Sequence, residues 1–164
     1  MKRITAIILL CLIFVGCGNR NAPQEKSQTA AIGNPWSDWA SMEEAEAAAG
    51  FPFGLPEVIA GSYKADAYRT LNGELIEVIY RDGDSEVRVR KQKGEGQDIS
   101  GDYNPYDTCT ETKSGEAAIA CYRNSGNNAL KQIISKGGYS WSLTAPDGCW
   151  GDSNADFLNA ILAE

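Results

Sequence analysis

A chain of 164 residues has room for one domain, and its formal net charge of −7 sets it against a phosphate backbone, which excludes nucleic acid as a partner class. It contains no histidine, so the commonest general base and the commonest metal ligand are both absent.

Lys2 and Arg3 open the chain, and Ile4 to Val15 is an almost wholly apolar run, too short to span a bilayer comfortably. The run ends in Phe14-Val15-Gly16-Cys17. A small residue before a cysteine at the end of an apolar core resembles the lipobox of bacterial lipoproteins. That resemblance implies a signal peptide over residues 1–16, cleavage before Cys17 and lipid on its sulfur. The implied address is the extracytoplasmic face of a bacterial membrane. Several acyl chains on one cysteine anchor stably where one alone holds marginally. Two positive charges leave with the signal, so the mature body is more acidic still. Anionic head groups repel such a body, and the lipid does the holding. Residues 17–33 are polar with almost nothing to bury, and read as a lipidated flexible tether with a reach of roughly 20–25 Å.

The folded domain is expected over 34–164. Trp36 and Trp39 lie close together and are expected to dock onto it. Ser41-Met42-Glu43-Glu44 is a capping box, and the helix it starts ends at Gly50. Phe51-Pro-Phe-Gly-Leu-Pro56 is a connector, since its prolines suit neither helix nor central strand. From Tyr63 to Ala145 the chain reads as one continuous antiparallel meander. Tyr63–Leu71 turns at Asn72-Gly73, where a three-residue loop puts Tyr68 beside Ile76. Glu74–Arg81 then turns at Asp82-Gly83 into Asp84–Lys91, a strong hairpin signal. A two-residue loop there sets Val78 opposite Val87 and Ile76 opposite Val89 on the apolar face. It sets Glu77 opposite Arg88 on the exposed one. After an irregular stretch from Lys93 to Asp107 come Thr108–Lys113, Glu116–Arg123 and Ala129–Lys136. Gly137-Gly138 turns the chain into the last strand, with Ile134 opposite Trp141. Tyr139, Trp141 and Leu143 point in, and Ser140, Ser142 and Thr144 point out. A final helix carries Phe157, Leu158, Ile161 and Leu162 as one apolar stripe. The expected fold is α+β: a single curved meander of about seven strands packed against an N-terminal and a C-terminal helix.

Asn34-Pro35-Trp36 before an acidic helix, the meander, Gly137-Gly138-Tyr139-Ser140-Trp141-Ser142-Leu143 and the closing helix together resemble a family of uncharacterised lipoproteins of Gram-positive bacteria. The resemblance covers residues 34–163. That family is distantly similar to the lipoprotein-carrier and periplasmic stress-sensor half-barrels, so it implies a half-barrel with a helical lid. It supplies no catalytic residues.

Three sets of side chains could carry chemistry. Cys109, Cys121 and Cys149 sit in a domain expected outside the cell, where one disulfide can form and one thiol is left over. A three-residue turn would set Cys109 opposite Cys121, and Cys149 to either of them is the rival pairing. Asp98, Asp102 and Asp107 share the long loop with glycines, but their spacing matches no calcium loop, and no metal or cofactor is expected. Tyr103 and Tyr106 on that loop, and Trp150 near the last strand, suit carbohydrate or peptide contacts, or else cover the sheet edge. No nucleophile has an activating base. The expected function is therefore a non-enzymatic binding or sensing module. Its partners would be the membrane, through its lipid, and a protein, lipid or wall ligand. A hydrolase using paired carboxylates and a purely structural surface protein are the alternatives.

Overall fold

The computed structural model describes residues 34–125, 130–145 and 153–164. The signal peptide, Cys17 and the tether therefore lie outside the described residues. Along the chain run β1 (Trp36–Trp39), α1 (Met42–Ala49), β2 (Val58–Ile59), β3 (Tyr63–Leu71), β4 (Leu75–Asp82) and β5 (Ser85–Lys93). They are followed by β6 (Thr108–Ser114), β7 (Ala117–Arg123), β8 (Lys131–Lys136), β9 (Tyr139–Thr144) and α2 (Ser153–Ala163). Among the described residues no helix is long and apolar enough to cross a membrane.

The α+β expectation holds, with nine strands among the described residues in place of about seven. The two additions are short. β1 is the docked tryptophan segment, hydrogen-bonded to β3 with Trp39 opposite Tyr68, and β2 pairs with the start of β3. The sheet is curved and does not close. Its order is β1-β3-β4-β5-β9-β8-β7-β6, with β2 beside β3. This corrects the continuous meander. There are two meanders, β3-β4-β5 and β6-β7-β8-β9, and the last strand of each pairs with that of the other. Residues 94–107 must therefore carry the chain from the middle of the sheet to its far edge. That is four strand spacings, or about 19 Å.

The β8–β9 hairpin forms in the expected register, with Ile134 opposite Trp141 and positive φ at both Gly137 and Gly138. The β4–β5 hairpin differs by two residues. Its loop is Gly83-Asp84, with positive φ at Gly83 and not at Asp84, which fits a type II′ turn better than type I′. Val78 consequently faces Val89, and Tyr80 faces Val87. A slip of two leaves every side chain on its expected face. The β3–β4 loop has its three residues, but Thr70 opposes Ile76, not Tyr68.

The energetic reason for the β4–β5 slip lies one strand away. Glu77 sits in a row between Arg69 on β3 and Arg90 on β5. It accepts from both guanidiniums, and both stack on the Trp36 ring, with their Cζ atoms 4.9 and 5.2 Å from its centroid. The expected Glu77–Arg88 pair was an exposed one, yet Glu77 is 0 % exposed. The observed register satisfies three strands at once, where the expected one satisfied a single hairpin.

Both helices contribute to the core on the sheet's apolar face. Ala45 from α1, and Phe157 and Ile161 from α2, join Val78, Tyr80, Val89, Trp141 and Leu143. Ser41 accepts from the Glu44 N–H and Gly50 ends α1 in the left-handed region, so the cap and the stop are as read, while the Glu44 carboxylate reaches one residue further back than a capping box requires, to the Ala40 N–H. The connector buries Phe51 and Phe53 and turns two of its carbonyls onto Lys91, a lysine on this apolar face that is 1 % exposed. The Lys91 ammonium donates to Pro52 O, Phe53 O and both Glu164 carboxylate oxygens, at 2.8–3.2 Å. It also lies 4.5 Å from the ring centroids of Tyr139 and Trp141. Gly54 leaves the space the Glu164 carboxylate needs, since a Cβ there would sit 2.2 Å from it.

Two tests follow from the registers. Val87→Asp should cost several kcal/mol, because it buries an unpaired charge against Tyr80. Arg88→Ala should cost about 0.2–1 kcal/mol, since its ion pair with Glu86 is partly exposed. Urea midpoints ranking these two variants the other way would reverse the faces. Glu77→Ala should cost about 3–5 kcal/mol, because it leaves two guanidiniums facing each other without a counter-charge. A loss below about 1 kcal/mol would show that the Arg69–Glu77–Arg90 row does not hold the register.

Candidate functional site

The face of the sheet away from the helices was expected to be wet, but it is covered where the chain crosses over. Ser140 and Ser142 are almost fully buried there, because residues 94–107 lie across β9, β8 and β7. Ser135, Ser140 and the charged residues of that face are what hold the crossover. Ser140 Oγ donates to Gly94 O at 2.7 Å and accepts from the Gln97 N–H at 3.0 Å. Ser135 Oγ accepts from the Gly96 N–H at 2.9 Å. Arg90 donates to Ile99 O at 3.0 Å, so the residue that pairs with Glu77 also ties down the loop.

The main peg is Lys131 on β8. Its ammonium is nearly buried and donates to Asp98 Oδ2 at 3.0 Å and to Asp102 O at 2.9 Å. It lies 4.4 Å from the Tyr122 ring centroid and 5.3 Å from that of Tyr106. Asp98 also accepts from the Ser100 N–H and hydroxyl, and Asp102 from the Asn104 N–H and the Tyr106 hydroxyl. Burial alone would raise both carboxyls. The Ser100 bonds and Lys131 outweigh it at Asp98, and the Tyr106 and Asn104 bonds and Lys131 outweigh it at Asp102, so both are held below the usual range. The Tyr106 hydroxyl is pushed up, by burial first and then by Asp102.

The five loop residues expected to form a binding surface thus divide. Asp102 and Tyr106, both half-buried, and Asp98, whose side chain is 41 % exposed, fasten the crossover through Lys131, Ser100 and Asn104. Asp107 accepts from the Ser125 N–H at 2.7 Å and braces the end of the β6–β7 hairpin. Tyr103 stands out, 90 % exposed at the tip. Among the described residues, no three His, Cys, Asp or Glu side chains gather as metal ligands.

The cysteines part company as well. A two-residue loop, Gly115-Glu116, closes the β6–β7 hairpin, so Cys109 opposes Tyr122 and Cys121 opposes Thr110. The two sulfurs lie on opposite faces: Cys109 exposed, Cys121 buried and accepting from Gln132 Nε2 at 3.4 Å. Both are free thiols in the structure, which corrects the expected Cys109–Cys121 alignment. Cys149 and Trp150 lie outside the described residues.

Between the crossover and the β6 edge lies a cleft of about 580 Å³. Its floor is Ala118 and Ala120 of β7 with Ile133 of β8, small side chains that leave room above the sheet. Asp98 forms the rim on the crossover side, Glu111 and Lys113 form it on the β6 side, and Tyr122 closes one end. A hollow of about 490 Å³ on the other side of the crossover lies between Arg88, Arg90 and the Asp102–Tyr106 turn. Sequence reasoning took the loop's own residues as the site and missed the strand residues beneath it. The available signal was alanine at alternate positions of an otherwise β-forming strand. Protein-family models, curated proteins and solved structures contain no match to this chain.

The carboxylates give this site a pH dependence of definite sign. A carboxyl held below its ordinary value stabilises fully above that value, about 3.9, and the contribution is lost as pH falls through the lowered one. Exchange protection of the Ser100, Asp102 and Asn104 amides should be flat from about pH 7 to 5 and collapse below about pH 4. In Lys131→Met it should already be weakened at neutral pH, with β4 amides unaffected. Equal protection in parent and variant would remove Lys131 as the peg.

Proposed function

We propose that this domain is a non-enzymatic binding module, held on the extracytoplasmic face of a bacterial membrane by lipid on Cys17, and that it takes its ligand in the cleft between the crossover and β6. The observation that carries the reading is the cleft itself. It has the volume of a small-ligand site, an apolar floor of small side chains and a rim of three charged groups. A floor and rim of that kind suit an extended polar ligand with apolar patches, such as a peptide or a wall fragment. They suit an acyl chain poorly. The space under the helices, where a lipid carrier would hold its cargo, is filled by Phe53, Tyr80, Trp141 and Phe157, whose rings pack 5.3–5.5 Å apart in pairs. The lipobox resemblance supports the anchor. The half-barrel resemblance bears on the fold and names no ligand.

The hydrolase alternative needs one carboxyl kept protonated as a general acid, with its pKa raised. Asp98 and Asp102 are both shifted the other way and are spent on Lys131, Ser100 and Tyr106. A purified domain that turned over a wall glycan or peptide with a bell-shaped pH profile would overturn the non-enzymatic reading.

Ala118 is exposed on the cleft floor, so Ala118→Trp should fill the cleft without a large change in melting temperature. Titration of the parent with soluble wall peptides and muropeptides, followed by amide chemical shifts, should move resonances of Glu111, Lys113, Ala118 and Ala120. The variant should show none of these shifts. Unchanged binding by a folded Ala118→Trp protein would place the ligand elsewhere.

A further inference from the structure

The hollow of about 490 Å³ on the far side of the crossover is walled by two arginines on one face of β5. The charges beneath it do not balance. Arg69 and Arg90 both donate to the single carboxylate of Glu77, so among the described residues that row has one positive charge in excess. Arg88 ends a second row, Asp66–Arg81–Glu86–Arg88, in which the charges do balance. Composition alone would not place an excess of positive charge here, in a chain of net charge −7.

Donors are also left without acceptors. Arg88 commits only its Nε, to Glu86 Oε1 at 2.6 Å, and its two Nη atoms have no partner among the described residues. Arg90 commits Nε to Glu77 and Nη1 to Ile99 O, which leaves Nη2. Gly101 gives that guanidinium its room, since a Cβ there would lie 2.5 Å from Nη1. Thr144 on β9 is the residue opposite Arg88, and it lines the same hollow. It is 7 % exposed, and its hydroxyl has no partner among the described residues. Side chains directly opposite each other on one face lie about 4.5–5.5 Å apart at Cβ, so the Arg88 fork and the Thr144 hydroxyl are neighbours.

We propose that this hollow binds the C-terminal carboxylate of a peptide whose last residue is small and apolar. The two free Nη atoms of Arg88 form the planar fork that a carboxylate matches with both oxygens. Arg90 Nη2 and the Thr144 hydroxyl supply further donors, and the anion offsets the excess charge of the Glu77 row. A doubly charged phosphate fits less well, because Glu86 holds Arg88 and Asp102 lines the turn across from it. Asp102 itself accepts from the Asn104 N–H and the Tyr106 hydroxyl, so it does not take the place of the ligand on Arg88. Pro105, Leu130 and Ala145 line the remainder and suit the side chain that a C-terminal carboxylate carries one carbon away. The crossover separates this hollow from the cleft, and the assignment does not depend on what the cleft takes.

The probes are N-acetyl-alanyl-alanine, its C-terminal amide and inorganic phosphate, each titrated into the full chain in detergent and followed by amide and arginine side-chain shifts. The free acid should move Arg88, Arg90, Thr144 and Ala145 resonances saturably. The amide and phosphate should each bind at least about tenfold more weakly. Arg88→Ala, whose small stability cost keeps it folded, should lose about tenfold or more, and Arg88→Lys should not rescue it, because an ammonium has no fork. Thr144→Val should bind more weakly while its urea midpoint stays level or rises, since it removes a nearly buried hydroxyl that has no bond. Ala118→Trp, which fills the cleft, should bind the free acid as the parent does. No saturable shift, an amide that binds as well as the acid, phosphate that binds more tightly, or full binding by folded Arg88→Ala would each overturn the carboxylate site. Loss of binding in Ala118→Trp would put the peptide in the cleft and overturn it as well.

Discussion

Everything on the outer face of this sheet follows from one topological constraint: β5 lies in the middle of the sheet and β6 at its edge. The chain must travel from one to the other over three intervening strands. Loops left over a sheet expose backbone polar groups to an apolar surface, and each unpaired group costs about 1–3 kcal/mol. This crossover avoids the cost because the strands beneath it carry serines, a lysine and an arginine in place of aliphatic residues. Ser135, Ser140, Arg90 and Lys131 meet its amides and carbonyls one by one.

The buried charges obey the same rule at three places. Glu77 is matched by two guanidiniums, Lys91 by two carbonyls and a carboxylate, and Lys131 by a carbonyl and a carboxylate between two tyrosine rings. A buried ion pair is a weak source of stability compared with a well-packed apolar one. Removing one partner is severe, because the other is left charged and dry. These three clusters therefore select one arrangement over its neighbours more than they deepen it. Glu77 selects the hairpin register, Lys91 joins the connector and Glu164 to β5, and Lys131 positions the crossover.

Local features were legible in the sequence, and non-local ones were not. The Ser41 cap, the Gly50 stop, the Gly137-Gly138 turn and the division of β4 and β5 into faces all depend on residues within one hairpin or one helix. The partner of β5 depends on β9, nearly fifty residues further on, and nothing in either strand names the other. Alternating Ser140, Ser142 and Thr144 read as solvent-facing because serine and threonine usually are. Here Ser140 bonds the crossover backbone at Gly94 and Gln97, while the Ser142 hydroxyl is buried beside it with no partner among the described residues. Asp98, Asp102 and Tyr106 read as a binding surface because they sit in a long polar loop, whereas their polar atoms are taken up by Lys131, Ser100, Asn104 and one another. The cleft was hidden for a related reason: its walls come from the crossover and the β6–β7 hairpin, and only the topology brings them together.

The junction of the two meanders also bears on how the chain reaches this state. β3, β4 and β5 form a compact local unit that can assemble as soon as it is made. Its third strand then has one paired side and one bare side until β9 docks. Throughout that interval the Val87 and Val89 edge is a template open to any extended chain nearby, and the long crossover pays its closure entropy only when the second meander docks. A fold that needs its last strand to seal its middle leaves that middle open to mispairing while it folds, and closes it only when that strand docks.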